Sequence, residues 1–201
     1  MDTIWLGRYS LSNNENGESS NYDNDSNYNL FYIFSPIVQE EIQMKYLDNE
    51  IVKPFVGIGQ IKLGMNYEEA IKLLKNNNII YSMGIEPNKG CTPEVPWKKV
   101  YVKDYMVLWF AEDVLWQISF EGEFKGSLEN GIKIGTSIED AQFIDDELEY
   151  DDWNEIWSSD NGYRLVDTVE TNKVIIFSIF IKEVLDDDVF YSYNWVNDYK
   201  K

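Results

Sequence analysis

Carboxylates, with lysine and tyrosine, are the side chains with which this chain could do chemistry. It carries 36 Asp and Glu against 17 Lys and Arg, no histidine, and one cysteine, Cys91. The densest acidic run is Asp145-Asp-Glu-Leu-Glu-Tyr-Asp-Asp-Trp-Asn-Glu-Ile-Trp157. In it Asp145, Asp146, Glu147, Glu149, Asp151, Asp152 and Glu155 surround Trp153 and Trp157. Read as a helix, the segment places both indoles on one face. An aromatic anchor among carboxylates suits a basic protein partner, because the ring supplies buried area and the charges steer the encounter. Asp186, Asp187 and Asp188, followed by Tyr191, Tyr193 and Trp195, repeat the theme. The two segments together form the expected partner-binding set.

Catalysis fits these residues less well. Without histidine there is no ordinary general base near neutral pH, no Ser-His-Asp or Cys-His arrangement, and few transition-metal sites. A carboxylate pair could hydrolyse a glycosidic bond, but nothing selects one pair among so many. A small carboxylate-dependent hydrolase is therefore the third-ranked reading, and the chain is expected not to be an enzyme. Asp23-x-Asp25-x-Asn27 imitates a calcium loop, yet Tyr28 stands where glycine is needed and Phe34 where a bidentate glutamate belongs. Gly57-Ile-Gly59 lacks dinucleotide-binding spacing, and Cys91 has no base to activate it. No catalytic residue, metal or cofactor is expected.

The formal charge of −19 disfavours direct contact with nucleic acid or an anionic membrane and favours a basic partner. A single cysteine permits no intrachain disulfide, which fits a reducing compartment. The start of the chain shows no secretion-signal pattern, and Val174 to Ile181, the longest apolar stretch, is too short to span a bilayer. A cytoplasmic monomer is the expectation.

The elements that must position these residues are announced by a repeated phrase. Ile61-Lys-Leu-Gly-Met-Asn-Tyr-Glu-Glu-Ala70 returns without a gap as Ile132-Lys-Ile-Gly-Thr-Ser-Ile-Glu-Asp-Ala141, 71 positions on. Asn66 and Ser137 stand as N-caps, with Glu69 and Asp140 three residues later as in a capping box. Gly64 and Gly135 permit a sharp turn into the helix. Each helix is followed by a connector: Asn76 to Lys98, rich in proline and glycine and read mainly as loop, and the acidic Asp145 to Asp160. Strands follow at Val100 to Phe110 and Val114 to Phe120 in the first copy, and at Tyr163 to Val169 and Val174 to Glu183 in the second. Val114 to Phe120 and Val174 to Phe180 read as equivalent strands. Alternation puts Trp116, Ile118 and Phe120 on one face and Gln117, Ser119 and Glu121 on the other. A last aromatic strand is expected over Phe190 to Val196.

The expected fold class is α+β, with two tandem helix-plus-antiparallel-sheet units and an N-terminal β-hairpin. The divisions are 1–54 (hairpin and the polar loop 12–29), 55–127 (first unit) and 128–201 (second unit with the C-terminal strand).

The phrase Ile-Lys-Leu-Gly-Met-Asn-x-Glu-Glu-Ala followed by a β-meander resembles the repeat of the SmpA/BamE-like fold, which also occurs in tandem in β-lactamase inhibitor proteins. The resemblance spans roughly residues 55–183 and implies a binding module whose sheets grip a protein. The chain has no lipobox cysteine near its start and lacks the paired cysteines of the secreted inhibitors. By analogy it looks like a bacterial immunity protein that neutralises a cognate basic toxin, such as a nuclease used in contact-dependent growth inhibition. The alternative is a non-catalytic scaffold module of the same type.

Overall fold

A computed structural model describes residue 47, residues 50–86 and residues 95–200. The expected hairpin near the N-terminus, the polar loop 12–29, the calcium-like motif and Cys91 lie outside the described residues.

Each copy of the repeated phrase opens a helix. Helix α1 (Tyr67–Asn76) is capped by Asn66, whose side chain accepts from the Glu68 N–H at 2.9 Å. Helix α2 (Ile138–Ile144) is capped by Ser137, whose Oγ accepts from the Asp140 N–H at 3.1 Å and donates to the Asp140 carboxylate at 2.6 Å. Ala70, Ile71 and Leu74 of α1, and Ile138 and Ala141 of α2, point into the core.

The strands outweigh the helices, and the expected α+β class is corrected to a mostly β fold. Twelve strands occur among the described residues, in a four-stranded and an eight-stranded sheet. The small sheet has the order β3 (Ile61–Lys62), β2 (Gly57–Ile58), β1 (Ile51–Lys53), β8 (Ser127–Leu128). The large sheet runs β4 (Tyr81–Glu86), β5 (Trp97–Val102), β6 (Met106–Ala111), β7 (Val114–Glu121), then β12 (Val174–Phe180), β11 (Tyr163–Asp167), β10 (Ile156–Ser159) and β9 (Glu149–Asp151). All its neighbours are antiparallel. The reason for the correction lies in the connectors. The Pro/Gly-rich one contains β4, and the acidic one contains β9 and β10. Each supplies an edge to a sheet whose centre was already expected.

The two units meet at β7 and β12 about a pseudo-twofold axis. Ser119 pairs with Ser178, Ile118 with Ile179, and Phe120 with Phe177. Three backbone bonds lock each helix start to its strand in the same pattern. Gly64 N–H donates to the Leu115 carbonyl, Leu115 N–H to Met65, and Tyr67 N–H to Asp113, at 2.7, 2.9 and 2.8 Å. In the second unit Gly135 donates to Val174, Val174 to Thr136, and Ile138 to Asn172, at 2.8, 2.9 and 3.0 Å. Leu115 therefore corresponds to Val174, so the expected alignment of Val114 with Val174 is shifted by one residue.

A bulge follows each of these anchor points. Trp109 opposes Gln117 while Phe110 opposes Leu115, which leaves Trp116 as the extra residue; Val166 opposes Ile176 while Asp167 opposes Val174, which leaves Ile175. A bulge re-aims its extra residue. Trp116 accordingly leaves the face of Ile118 and Phe120 and packs on the opposite one.

One face of the large sheet, with Val100, Leu108, Phe110, Ile118, Phe120, Leu165 and Phe177, packs with the helices and the small sheet in the main core. The other face carries Trp97, Ala111, Trp116 and Phe180, covered by the C-terminal tail. That tail is a 3-10 turn (Lys182–Leu185), α3 (Asp187–Phe190) and α4 (Val196–Tyr199), so the expected strand over Phe190 to Val196 is corrected to short helical turns. Its aromatic residues close a small core of their own: Phe190 stacks on Trp195 with ring centroids 5.7 Å apart, and Trp116 lies 5.0 Å from Phe190. Compact turns bury these rings in a way that alternation along a strand could not.

Candidate protein-binding face

The acidic connector is a β-hairpin. Trp157 opposes Tyr150, and Ile156 opposes Asp151. The turn is built by Asp151, whose Oδ1 accepts from the backbone N–H of Trp153 and Asn154 at 2.9 and 3.1 Å, while its Oδ2 accepts from the Asn154 side chain at 2.7 Å. The Asn154 bond, with the backbone donors, outweighs desolvation and holds the Asp151 pKa below the usual carboxylate value. Glu155 completes the turn at φ +54°.

This geometry separates the two tryptophans that a helix would have aligned. Trp153 stands at the tip, 69% exposed. Trp157 is half-buried against the main core, donates its indole N–H to Asp167 at 3.2 Å, and has the Tyr150 ring 4.9 Å away. Asp146, Glu147, Glu149, Asp152 and Glu155 are exposed around the hairpin, and Asp151 is half-buried.

Asp145 does not belong with them. It is 6% exposed. Its carboxylate accepts from Ser159 Oγ at 2.8 Å, from Asn161 Nδ2 at 3.2 Å, from the Glu147 N–H at 3.1 Å, and from the Tyr163 hydroxyl. Burial alone would raise its pKa, but the hydrogen bonds from Tyr163, Ser159 and Asn161 hold it below the ordinary value. Burial and the adjacent carboxylate push the Tyr163 hydroxyl well above its ordinary pKa. Asp145 sits 71 positions after Leu74, a fully buried core residue of the first unit. A polar hub thus occupies the place of an apolar contact, and its role is to close α2 onto the sheet.

The second acidic segment lies in the tail. Asp186 caps α3, accepting from the Val189 N–H at 3.1 Å, while Asp187 and Asp188 are exposed. Tyr193 and Trp195 are buried in the tail's aromatic core, so they are not free to anchor a partner.

Arg164 of β11, a residue that sequence reasoning missed, lies on the tail-side face of the large sheet. Its guanidinium lies over the Phe180 ring, 4.9 Å from the centroid, and its Nε is buried without a hydrogen-bond partner among the described residues. Burial lowers its pKa, while Tyr191, Asp187 and Asp151 favour its charged form. The available signal was its rarity, since Arg8 and Arg164 are the only arginines in the chain.

Between Arg164 and the far edge, the tail-side face of the sheet carries a polar seam on the pseudo-axis. Ser178 donates to Ser119 at 2.9 Å, and Gln117 and the Trp109 indole donate to the same Ser119 oxygen at 3.1 and 3.2 Å. Lys99 lies over the Trp109 ring at 3.8 Å and pairs with Glu86. Burial pushes the Lys99 ammonium down to about 8, against the pull of Glu86 and the ring, both of which favour the charged form. Among the described residues there is no group of carboxylates and cysteines placed to hold a metal ion. No helix among them is long and apolar enough to cross a membrane.

No protein-family model matches the chain, and no curated protein matches its sequence. Among solved structures, the chain is similar to the uncharacterized protein yfeY from Escherichia coli, with a TM-score of 0.46 and 14% identity over 65% of this chain and 99% of that one. A likeness of that size carries no functional inference.

Proposed function

We propose that the chain is a non-catalytic protein inhibitor, an immunity-type protein that captures a basic toxin with the acidic end of its large sheet. The observation that supports this reading best is the hairpin tip, where exposed Trp153 stands among the exposed carboxylates of Asp146, Glu147, Glu149, Asp152 and Glu155. The resemblance of the repeated phrase to a binding-module fold points the same way.

The mechanism follows from charge and exposure. Long-range attraction raises the encounter rate above the neutral baseline of ~10⁵–10⁶ M⁻¹s⁻¹, and salt screens it over a Debye length of about 8 Å at physiological ionic strength. Trp153 is then desolvated against the partner, and carboxylates at the rim fix the orientation.

The test is the association rate of a captured basic protein as a function of salt. Glu149→Gln, Asp152→Asn, Glu155→Gln, Asp187→Asn and Asp188→Asn together should slow association at low salt by roughly tenfold or more and flatten its salt dependence. An unchanged rate would remove this face from the mechanism.

A further inference from the structure

Asparagine precedes glycine at Asn16, Asn130 and Asn161, and the last two lie among the described residues. In such a pair the glycine nitrogen can attack the asparagine amide carbon, because no Cβ obstructs the approach. The C–N bond that forms closes a succinimide ring, and the side-chain NH₂ leaves as ammonia with the proton of the glycine N–H. Water then opens the ring to aspartate or isoaspartate. The fold sets the rate by permitting or refusing the geometry of closure.

Both described pairs start from the same backbone. Gly131 N–H donates to the Leu128 carbonyl at 2.9 Å, and Gly162 N–H to the Ser159 carbonyl at 3.0 Å. Their φ angles are +93° and +89°, positive as at Gly64 and Gly135. Conformation therefore does not separate the two sites, but their surroundings do. The Phe55 ring lies on Gly162, as the Tyr199 ring lies on Gly64, where a Cβ would meet ring atoms at 2.5 and 2.3 Å. Gly162 is buried, and the Asn161 amide donates to both carboxylate oxygens of Asp145 at 3.2 Å. Asn130 and Gly131 are both exposed. Asn130 Nδ2 donates to the Tyr163 hydroxyl across a long 3.4 Å, and its Oδ1 accepts from the Ile132 N–H at 3.3 Å, which folds the side chain back towards the Gly131 peptide.

We infer that Asn130 is a deamidation site, and that Asn161 is protected from the same reaction by its place in the fold. The modification reaches the Asp145 hub. Its product sets a carboxylate, with no donor, beside the Tyr163 hydroxyl, which already donates to Asp145. Two like charges then share one hydroxyl, and each disfavours the other. Isoaspartate also inserts a methylene into the backbone of the turn that the Gly131–Leu128 bond and the Leu128–Ile132 bond, at 2.9 and 2.8 Å, hold closed. Deamidation therefore loosens the turn after β8 from the β11 tyrosine it rests on.

The experiment holds the full chain in mildly alkaline buffer, once folded and once unfolded in guanidinium chloride. The peptides around Asn130 and Asn161 are then quantified over time by mass spectrometry, with isoaspartate resolved by chromatography. Glu129 and Asp160 precede the two asparagines, so in the unfolded chain both should convert at similar rates. In the folded chain Asn130 should convert roughly tenfold faster than Asn161 or more, because closure at Asn161 must first give up bonds to a charged acceptor and displace Phe55. Asn130→Asp, made directly, should unfold at a lower urea concentration than the parent. Equal rates at the two sites in the folded chain would overturn the inference. So would an Asn130 that stays intact when folded and converts only when unfolded. An Asn130→Asp variant as stable as the parent would overturn the effect on the hub.

Discussion

Replacing Asp145 tests whether the most buried member of the acidic run is a structural hub. Asp145→Leu copies the side chain that stands at the corresponding place in the first unit. It leaves the Tyr163 and Ser159 hydroxyls without their acceptor, at sites 1% and 2% exposed. A buried hydroxyl that loses its acceptor costs ~1–3 kcal/mol. Asn161 is exposed and can turn to water, so it adds little. The leucine regains part of the loss by apolar burial, which sets the net destabilisation at about 2–4 kcal/mol. Urea unfolding followed by tryptophan fluorescence measures it, with an unchanged slope required for the comparison. Asp145→Leu combined with Tyr163→Phe removes one orphaned hydroxyl and should recover about 1–2 kcal/mol relative to the single variant. A single variant within about 1 kcal/mol of the parent, or a double variant no more stable than the single, would refute the hub. Because the carboxylate is inside the fold, neither variant should alter association with a partner.

Other outcomes follow from the same geometry. The Asp145 pKa lies below its ordinary 3.8, so its contribution to stability is complete above that pH and is lost as pH falls through the depressed value. Acid unfolding should accordingly have a shallower pH dependence in Asp145→Leu, as read by circular dichroism. Gly135→Ala should cost about 1–2 kcal/mol for its positive φ alone. Gly64→Ala should cost ~1–3 kcal/mol more than Gly135→Ala, because the Tyr199 ring must also move, and paired thermal melts would show the difference. Trp153→Ala should leave stability unchanged and weaken a captured partner by about 2 kcal/mol, roughly thirtyfold in Kd, as measured by calorimetry.

The centre of the fold was legible in the sequence and its margins were not. Asn66 and Ser137 announce helix starts because an N-cap is a local interaction, decided within four residues. The strands that became β7 and β12 are apolar enough to be read without tertiary context. The edge strands are different. In β4 only three of six residues are apolar, Tyr81, Met83 and Ile85, and Pro and Gly residues follow, so local composition reads as loop. In β9 the residues Glu149-Tyr-Asp151 match an acidic helix as well as a strand. Both become strands because a neighbouring strand offers its open edge, a non-local effect. The bulge at Trp116 was hidden because alternation assumes an unbroken ladder. Of the candidate site, the exposed carboxylates of both segments and Trp153 stand on the surface as a contact requires. Asp145 and Trp157 do not, because burial depends on where Tyr163 and Asp167 arrive from elsewhere in the chain.

The exposed carboxylates of the hairpin and tail are proposed to hold a basic protein, and the most direct test is parallel affinity capture with the parent chain and the five-fold neutralised variant, at low and high salt. The account predicts one stoichiometric basic protein on the parent at low salt, released by high salt and retained in clearly smaller amount by the variant. Equal retention of the same protein by both chains, or a complex indifferent to salt, would contradict it.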